Sequence, residues 1–318
     1  MQIETHLIRA LGKREKLFGD PETNCFRIFN GEGDGIPGLV IDWYGGYILI
    51  QYYDRRLQDK TGDIILAIAG AAARFPAPPM GVLLKNRLKS ADTRDISAGM
   101  KSVVVEGSEP PAGYAVRQNG ILAGVDLMRG QSTGIFLDMR EIREGLVRYY
   151  SPADIMLNLF SYTALFSVHA IAHGVTGAVN VDLSKAVLER ARANYRLNGL
   201  RVDERDFVYG DSLDWIRRFR KKGKIFTMAV FDPPTFSRNR RRTFSSKKNY
   251  RDSLVMLSDI VEGGRVLTSV NSYSISREEY LSYHPAGWRL EFFANESSDF
   301  TYTGNPYLKA GLWKIKNS

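Results

Sequence analysis

Phe226-Thr-Met-Ala-Val-Phe231, followed at once by Asp232-Pro-Pro-Thr-Phe236, spells a strand and its end. The apolar run is short and bounded, as suits a buried strand. Two consecutive prolines can neither continue a helix nor donate to a sheet ladder, so the strand stops with Asp232 at its carboxyl edge. In an open α/β sheet that edge is where ligands bind. Over so few residues a proline-rich turn without chemistry reads the same way, and the flanking segments decide between the two.

From about Asp154 onward, apolar strands alternate with amphipathic helices, which predicts a mostly parallel, doubly wound α/β sheet of Rossmann-like form. The expected strands are Asp154 to Phe160, Gly177 to Asp182, Asp206 to Gly210, Phe226 to Phe231 and Arg265 to Ser269. Between the second and third, Val187, Leu188, Ala191 and Tyr195 recur at helical spacing, and Asn198-Gly199 supplies the stop. A polar helix is expected near Ser276 to Tyr283, then strand-like segments at Leu290 to Ala294 and Tyr307 to Ile315. The first hundred or so residues differ. A helix precedes Phe26 to Phe29 and the glycine-rich Asn30-Gly-Glu-Gly-Asp-Gly-Ile-Pro-Gly38, and Gly45-Gly46 joins strands Leu39 to Trp43 and Tyr47 to Tyr53 as a hairpin. We expect a smaller α/β (α+β) substrate and RNA-binding domain over residues 1–124 and the sheet domain over 125–318, entered by a helix around Asp138 to Tyr149.

The chain of 318 residues suits about two domains. Forty-four Lys plus Arg against 35 Asp plus Glu leave a net charge of +9, an electrostatic footprint compatible with nucleic acid. Cys25 is the single cysteine, so a disulfide framework and a zinc-binding cysteine cluster are excluded and a reducing compartment is expected. No stretch approaches the ~18 apolar residues of a membrane span, and the amino terminus lacks a signal-peptide pattern. The expectation is a cytoplasmic protein without a membrane or metal partner, with a homodimer left open.

The first strand of the sheet runs into Asn158-Leu-Phe160-Ser161-Tyr162-Thr163-Ala164, where a Rossmann-like fold brings backbone to a cofactor. A full glycine fingerprint is absent, and small residues (Ser161, Thr163, Ala164) must allow the close approach. Asp182, beside Leu183 at the end of the second strand, is placed for a ribose diol, and Asp211-Ser212 after the third for adenine. Ser184 and Asp211 also precede helices and can act as N-caps. Acids at the ends of the second, third and fourth strands together are harder to explain as caps alone. With no Gly-Lys-Ser/Thr phosphate loop, the cofactor reads as S-adenosylmethionine rather than a nucleoside triphosphate.

Five segments then carry a family resemblance: Asn30-Gly-Glu-Gly-Asp-Gly-Ile-Pro-Gly-Leu-Val-Ile-Asp42, Gln131-Ser-Thr-Gly-Ile-Phe-Leu-Asp-Met-Arg140, Leu157-Asn-Leu-Phe-Ser-Tyr-Thr163, Asp232-Pro-Pro-Thr-Phe236 and Tyr307-Leu-Lys309. As a set they resemble the large-subunit (23S) ribosomal RNA methyltransferases related to the cytosine-5 enzymes that carry an N-terminal PUA domain. The resemblance implies a class I methyltransferase domain behind a smaller substrate domain, ribosomal RNA as partner, and Arg140 as a partner for the cofactor's carboxylate. It also implies that the Pro-Pro loop aims a carboxylate or carbonyl at a planar base while Phe236 stacks, making Asp232, Pro233, Pro234 and Phe236 candidate catalytic residues and Asp232 a cofactor contact too. Two departures follow. The PUA segment is not expected here, because the chain starts almost at the helix before the Gly-Glu-Gly-Asp-Gly segment. After the fifth strand, where the cytosine-5 enzymes show a Thr-Cys-Ser-Cys-Ser-like run, this chain reads Thr268-Ser-Val-Asn-Ser272, so Asn271 stands at the nucleophile position.

An asparagine amide cannot add to carbon 6 of a pyrimidine, and carbon 5 is a poor nucleophile without that adduct. A ring nitrogen such as guanine N7 brings its own lone pair and needs only positioning and electrostatics. The pattern also resembles the guanine-N7 domain of the bifunctional large-subunit rRNA methyltransferase. Asn271 and Asp232 are therefore expected at a base edge. An exocyclic amine target, cytosine-5 transfer by an atypical route, and a non-catalytic RNA-binding or assembly factor are the alternatives. Beyond the Pro-Pro turn, Arg238, Arg240, Arg241, Arg242, Lys247, Lys248 and Arg251 interleave with Phe244 and Tyr250, the composition of an RNA clamp or else of a solvated loop. His169 and His173, four apart, lack the carboxylate of a zincin pattern and read as packing residues. Glu32 and Asp34 read as turn residues, and Cys25 as a small core residue beside Phe26.

Overall fold

The computed structural model describes residues 2–88, 101–234, 236–238, 243–261 and 263–316, and of residues 236–238 and 243–249 the backbone alone. The chain divides into two compact units, residues 1–140 with 297–304, and residues 141–296 with 305–318. The expected division at 124 falls at the end of the last strand of the first unit, which runs on to Arg140.

In the first unit, α1 (Gln2–Lys13), α2 (Glu15–Phe18) and α3 (Thr61–Gly70) accompany β1 (Cys25–Asn30), β2 (Leu39–Tyr44), β3 (Tyr47–Tyr52), β4 (Gly81–Asn86) and β5 (Val103–Gly107), which lie side by side in that order. Only β3 and β4 run parallel, joined through α3. A separate hairpin comprises β6 (Ala115–Gln118) and β7 (Ile121–Gly124). Gly45 and Gly46 turn β2 into β3 with φ of 56° and 113°, a left-handed pair that matches strand twist. Leu7, Leu11, Ile28, Ile41, Ile48 and Ile50 fill the core, and Cys25 is buried in β1 as expected.

The glycine-rich turn has a larger structural task than its sequence suggests. Asp34 is buried and accepts from Arg14 through two nitrogens (3.0 and 2.7 Å), from Lys13 Nζ (2.8 Å) and from the Asn30 N–H (2.8 Å). Burial alone raises its pKa, but Arg14 and Lys13 outweigh that and hold it below the usual range. Asp299 in turn accepts from the Arg27 N–H (2.8 Å) and from Arg140 (2.9 Å), which ties the returning segment 297–304 into this unit.

The second unit is built on β8 (Ile155–Leu159), β9 (Gly177–Asp182), β10 (Phe207–Tyr209), β11 (Met228–Phe231), β12 (Phe236–Arg238), β13 (Thr243–Ser245), β14 (Arg265–Asn271), β15 (Trp288–Ala294) and β16 (Leu308–Ile315). Seven of these form one sheet in the order β10-β9-β8-β11-β14-β16-β15, parallel from β10 to β14 and closed by the antiparallel β16 and β15. The helices are α4 (Arg140–Leu146), which starts at the boundary between units, then α5 (Leu165–Ala172), α6 (Lys185–Leu197), α7 (Ser212–Lys221), α8 (Ser246–Ser258) and α9 (Arg277–Ser282). Strand order reverses between β8 and β11, the place where an open sheet leaves a crevice beyond its carboxyl edge. β12 and β13 pair as a hairpin immediately after the Pro-Pro turn. Leu157, Val181, Ala229, Phe231, Val266 and Val270 hold the sheet to its helices.

Candidate active site

The ends of β9 and β10 converge on the loop that follows β8. Phe160, Tyr162 and Ala164 all adopt left-handed φ, 57°, 48° and 61°, a conformation that costs roughly 1–2 kcal/mol per non-glycine residue. Such strain persists only where neighbours impose it. The Tyr162 N–H donates to Asp182 Oδ2 (3.0 Å), the Phe160 N–H to Ser212 Oγ (3.1 Å), the Ser161 N–H to the Val181 carbonyl (3.0 Å), and Asn194 Nδ2 to the Thr163 carbonyl (2.9 Å). Asn158, predicted as a cofactor residue, is buried and donates to Ser167 Oγ (2.9 Å), which donates to Asn180 (2.7 Å). Asn180 is also bonded to the Tyr195 hydroxyl. This network braces the loop from beneath.

Asp182 receives the backbone N–H groups of Tyr162, Leu183 and Ser184, and burial raises its pKa. Leu183 is 41 % exposed, an apolar face beside that carboxylate. Asp211 caps α7, accepting from the Leu213 and Asp214 N–H groups (3.0 and 3.1 Å). Ser212 is fully buried and its hydroxyl is engaged with Phe160, so the structure shows it as a clamp on the loop. Ser161 Oγ is buried without a hydrogen-bond partner, an orphaned polar atom inside the cradle. Arg140 lies in the first unit, ion-paired with Asp299.

Asp232 stands one residue past the Phe231–Thr268 pair of β11 and β14, which sets it beside Ser269. Ser269 Oγ donates to Asp232 Oδ1. Ser269 was not among the residues singled out in the sequence, although alternation along β14 places it on the face shared with Asn271. Asn271 ends β14 and is exposed, Pro233 is buried and Pro234 exposed. Tyr250, expected to stack on RNA, is instead a core residue. It is fully buried, its ring packs edge-on against Phe231 (5.3 Å), and its hydroxyl donates to the Ser269 carbonyl (2.9 Å). Arg251 on α8 is exposed, as a clamp requires. Arg240, Arg241 and Arg242 lie outside the described residues, as do the side chains of Phe236, Arg238, Phe244, Lys247 and Lys248.

The profile of the S-adenosylmethionine-dependent methyltransferase family matches residues 27–286. The chain belongs to that family. The methyltransferase is 31% identical over 89% of its length to the "Putative ribosomal RNA large subunit methyltransferase YwbD" of Bacillus subtilis, and spans 70% of that protein. It is 29% identical over 81% of its length to the ribosomal RNA large subunit methyltransferase I of Photobacterium profundum, and spans 62% of it. Among solved structures, SMU.776, described as "a putative methyltransferase complexed with SAH", aligns with a TM-score of 0.86 at 28% identity, covering 98% of this chain and 82% of that one. The cradle fits the cofactor: a carboxylate for a diol, an exposed leucine beside it, and an unsatisfied buried hydroxyl in a loop bent for close approach. His169 and His173 do not make a metal site. His169 is buried, bonded to the Tyr150 hydroxyl (3.2 Å), and its pKa is pushed down to about 3, first by burial and then by His173 and Arg143. Among the described residues no group of three or more His, Cys, Asp or Glu could hold a metal ion, and no helix is long and apolar enough to cross a membrane.

Proposed function

We propose that the protein transfers a methyl group from S-adenosylmethionine to a base nitrogen of large-subunit ribosomal RNA, with guanine N7 the favoured acceptor. One observation carries the reading: at neighbouring strand ends the chain presents Asp232, buttressed by Ser269, and an exposed Asn271 where cytosine-5 enzymes place a cysteine. The chain's single cysteine, Cys25, is buried in β1 of the first unit, its Sγ directed at the Arg117 carbonyl. A covalent route to carbon 5 through a thiolate therefore has no nucleophile in this chain.

When bound, S-adenosylmethionine supplies a methyl group on a sulfonium, a carbon electrophile that a ring-nitrogen lone pair takes directly as sulfur leaves. Asp182, Leu183 and the loop from Phe160 to Thr163 hold and orient the cofactor. Asp232 accepts from the N1–H or amino group of guanine, and Asn271 offers both a donor and an acceptor to the base edge. N7 carries no proton, so neither residue needs to act as a base. Ribosomal RNA is supported by the names of the two relatives and by the net charge of +9.

The deciding experiment is nucleoside mass spectrometry of ribosomal RNA from cells with and without the gene, mapped by chemical cleavage at 7-methylguanosine. Loss of one 7-methylguanosine is expected. Loss of 5-methylcytidine instead would overturn the argument from Asn271, and unchanged RNA would remove ribosomal RNA as the substrate.

A further inference from the structure

Just beyond Asn271 the chain carries an exposed tyrosine, packed on a half-buried one from just before β16, that none of the roles above uses. Tyr273 is 73 % exposed, and its ring centre lies 5.5 Å from that of the half-buried Tyr307, tilted by 56°. Large aromatic surface left in water forgoes the gain of burial, so an exposed tyrosine beside a strand end invites a functional explanation.

The backbone under the pair is pinned. The Ser272 N–H donates to the Tyr307 carbonyl (2.8 Å), and Lys309 Nζ donates to the Ser272 carbonyl (2.9 Å). Lys309 is itself buried, opposite Val270 on β16. On the other side, the buried Glu296 carboxylate accepts the N–H groups of Tyr307 (3.3 Å) and Leu308 (3.0 Å). The Ser274 N–H closes onto Ser272 Oγ (3.2 Å). A side chain exposed on a backbone held at several points is pre-organised, and little ordering entropy is lost when a flat partner settles on it.

We propose that Tyr273, braced by the tilted ring of Tyr307, forms a stacking platform for an unpaired RNA base adjacent to the nucleotide presented at Asp232 and Asn271. The assignment rests on the reading that the substrate is RNA. Two residues of extended chain, at most about 7 Å, separate Tyr273 from Asn271, which is within reach of a neighbouring nucleotide. Every base has a π face, so the platform adds affinity without selecting sequence, and specificity stays with the polar groups at the strand ends. The buried Lys309 is a positioning residue that holds the turn carrying both Asn271 and Tyr273.

The test uses the full chain and a short single-stranded RNA carrying one 2-aminopurine, whose fluorescence falls when it stacks. Wild type is expected to bind and quench it. Tyr273→Ala is expected to weaken binding about tenfold and abolish the quench, while Tyr273→Phe and Tyr273→Trp retain both. Because the residue is exposed, melting temperature and S-adenosylhomocysteine affinity stay at wild-type values, which separates stacking from a folding defect. Unchanged quenching in Tyr273→Ala, or a wild type that binds without quenching or does not bind, overturns the platform. A wild type that does not bind counts against the RNA reading as well, whereas binding without quenching, or quenching that survives Tyr273→Ala, overturns the platform alone; the ribosomal RNA nucleosides decide the methylation reading separately.

Discussion

Asp182→Asn tests the cofactor cradle most sharply. The carboxylate already takes three backbone N–H groups, from Tyr162, Leu183 and Ser184, out of roughly four acceptor positions that a carboxylate offers. One remains for a ribose hydroxyl. A hydrogen bond to a charged acceptor contributes about 1.5–3 kcal/mol, so its loss should raise the Kd for S-adenosylhomocysteine about 10- to 150-fold. Asparagine preserves the shape but turns an amide donor toward one of the backbone N–H groups. Against that cost, the neutral side chain removes a charge that burial disfavours, the same cause that raises the Asp182 pKa. The two effects oppose one another in the fold and act together in binding, so affinity should fall steeply while the melting temperature moves little. Calorimetry with S-adenosylhomocysteine and a thermal melt of the same samples measure both. A Kd within about threefold of wild type would show that the carboxylate serves only the loop, and the assignment of Asp182 to the ribose would be wrong.

Ser269→Ala releases Asp232 from its hydroxyl partner. Methyl transfer should slow about tenfold, the worth of one charge-assisted hydrogen bond, with S-adenosylhomocysteine affinity intact; an unchanged kcat would show that Asp232 is aimed by other contacts. Acid should destabilise the second unit through His169. Its folded pKa of about 3 lies below the ordinary 6.5, so the stability it contributes is complete above 6.5 and is lost as the pH falls toward 3, on the order of 5 kcal/mol. Melting curves between pH 7 and 4 should slope downward in wild type and less steeply in His169→Phe, where His284, held down to about 4 by burial, keeps part of the slope; equal slopes would exclude His169. In the first unit, a Cβ on Gly33 would collide with the Thr301 carbonyl. Gly33→Ala should therefore cost roughly 1–3 kcal/mol as overpacking, seen as a lower urea midpoint, and a wild-type midpoint would mean that the turn and the returning segment yield freely.

The elements legible in the sequence were those whose pattern is local. Gly177–Asp182 matches its expected strand residue for residue, and the periodic Val187, Leu188, Ala191 and Tyr195 fall on α6. The strand-like segments expected at Leu290 to Ala294 and Tyr307 to Ile315 form β15 and β16, which pair antiparallel. What escaped depends on distant partners. β5 is largely exposed along Val103–Gly107 and has no alternating core pattern to announce it. Segment 297–304 joins the first unit through bonds from Arg14 to residues more than 280 positions away, and no local signal records such a pairing. Tyr250 was readable and was misread. Tyr250, Leu254 and Leu257 recur at the spacing of a buried helical face, but the cations around Tyr250 gave it the look of a stacking residue.

The cofactor loop shows why residue types at strand ends could be found but not apportioned. A carboxylate or hydroxyl that caps a helix, one that restrains a strained loop and one that meets a ligand present the same atoms to a backbone or hydroxyl donor. Asp211 is occupied with its cap, Ser212 with the Phe160 N–H, and Asp182 with three N–H groups. Ser212 and Asp182 hold Phe160 and Tyr162 in left-handed conformations that would otherwise relax. The strain and its restraints are thus parts of one device: the loop can come close to a cofactor without glycines because the strand ends beside it supply the acceptors that glycine would make unnecessary.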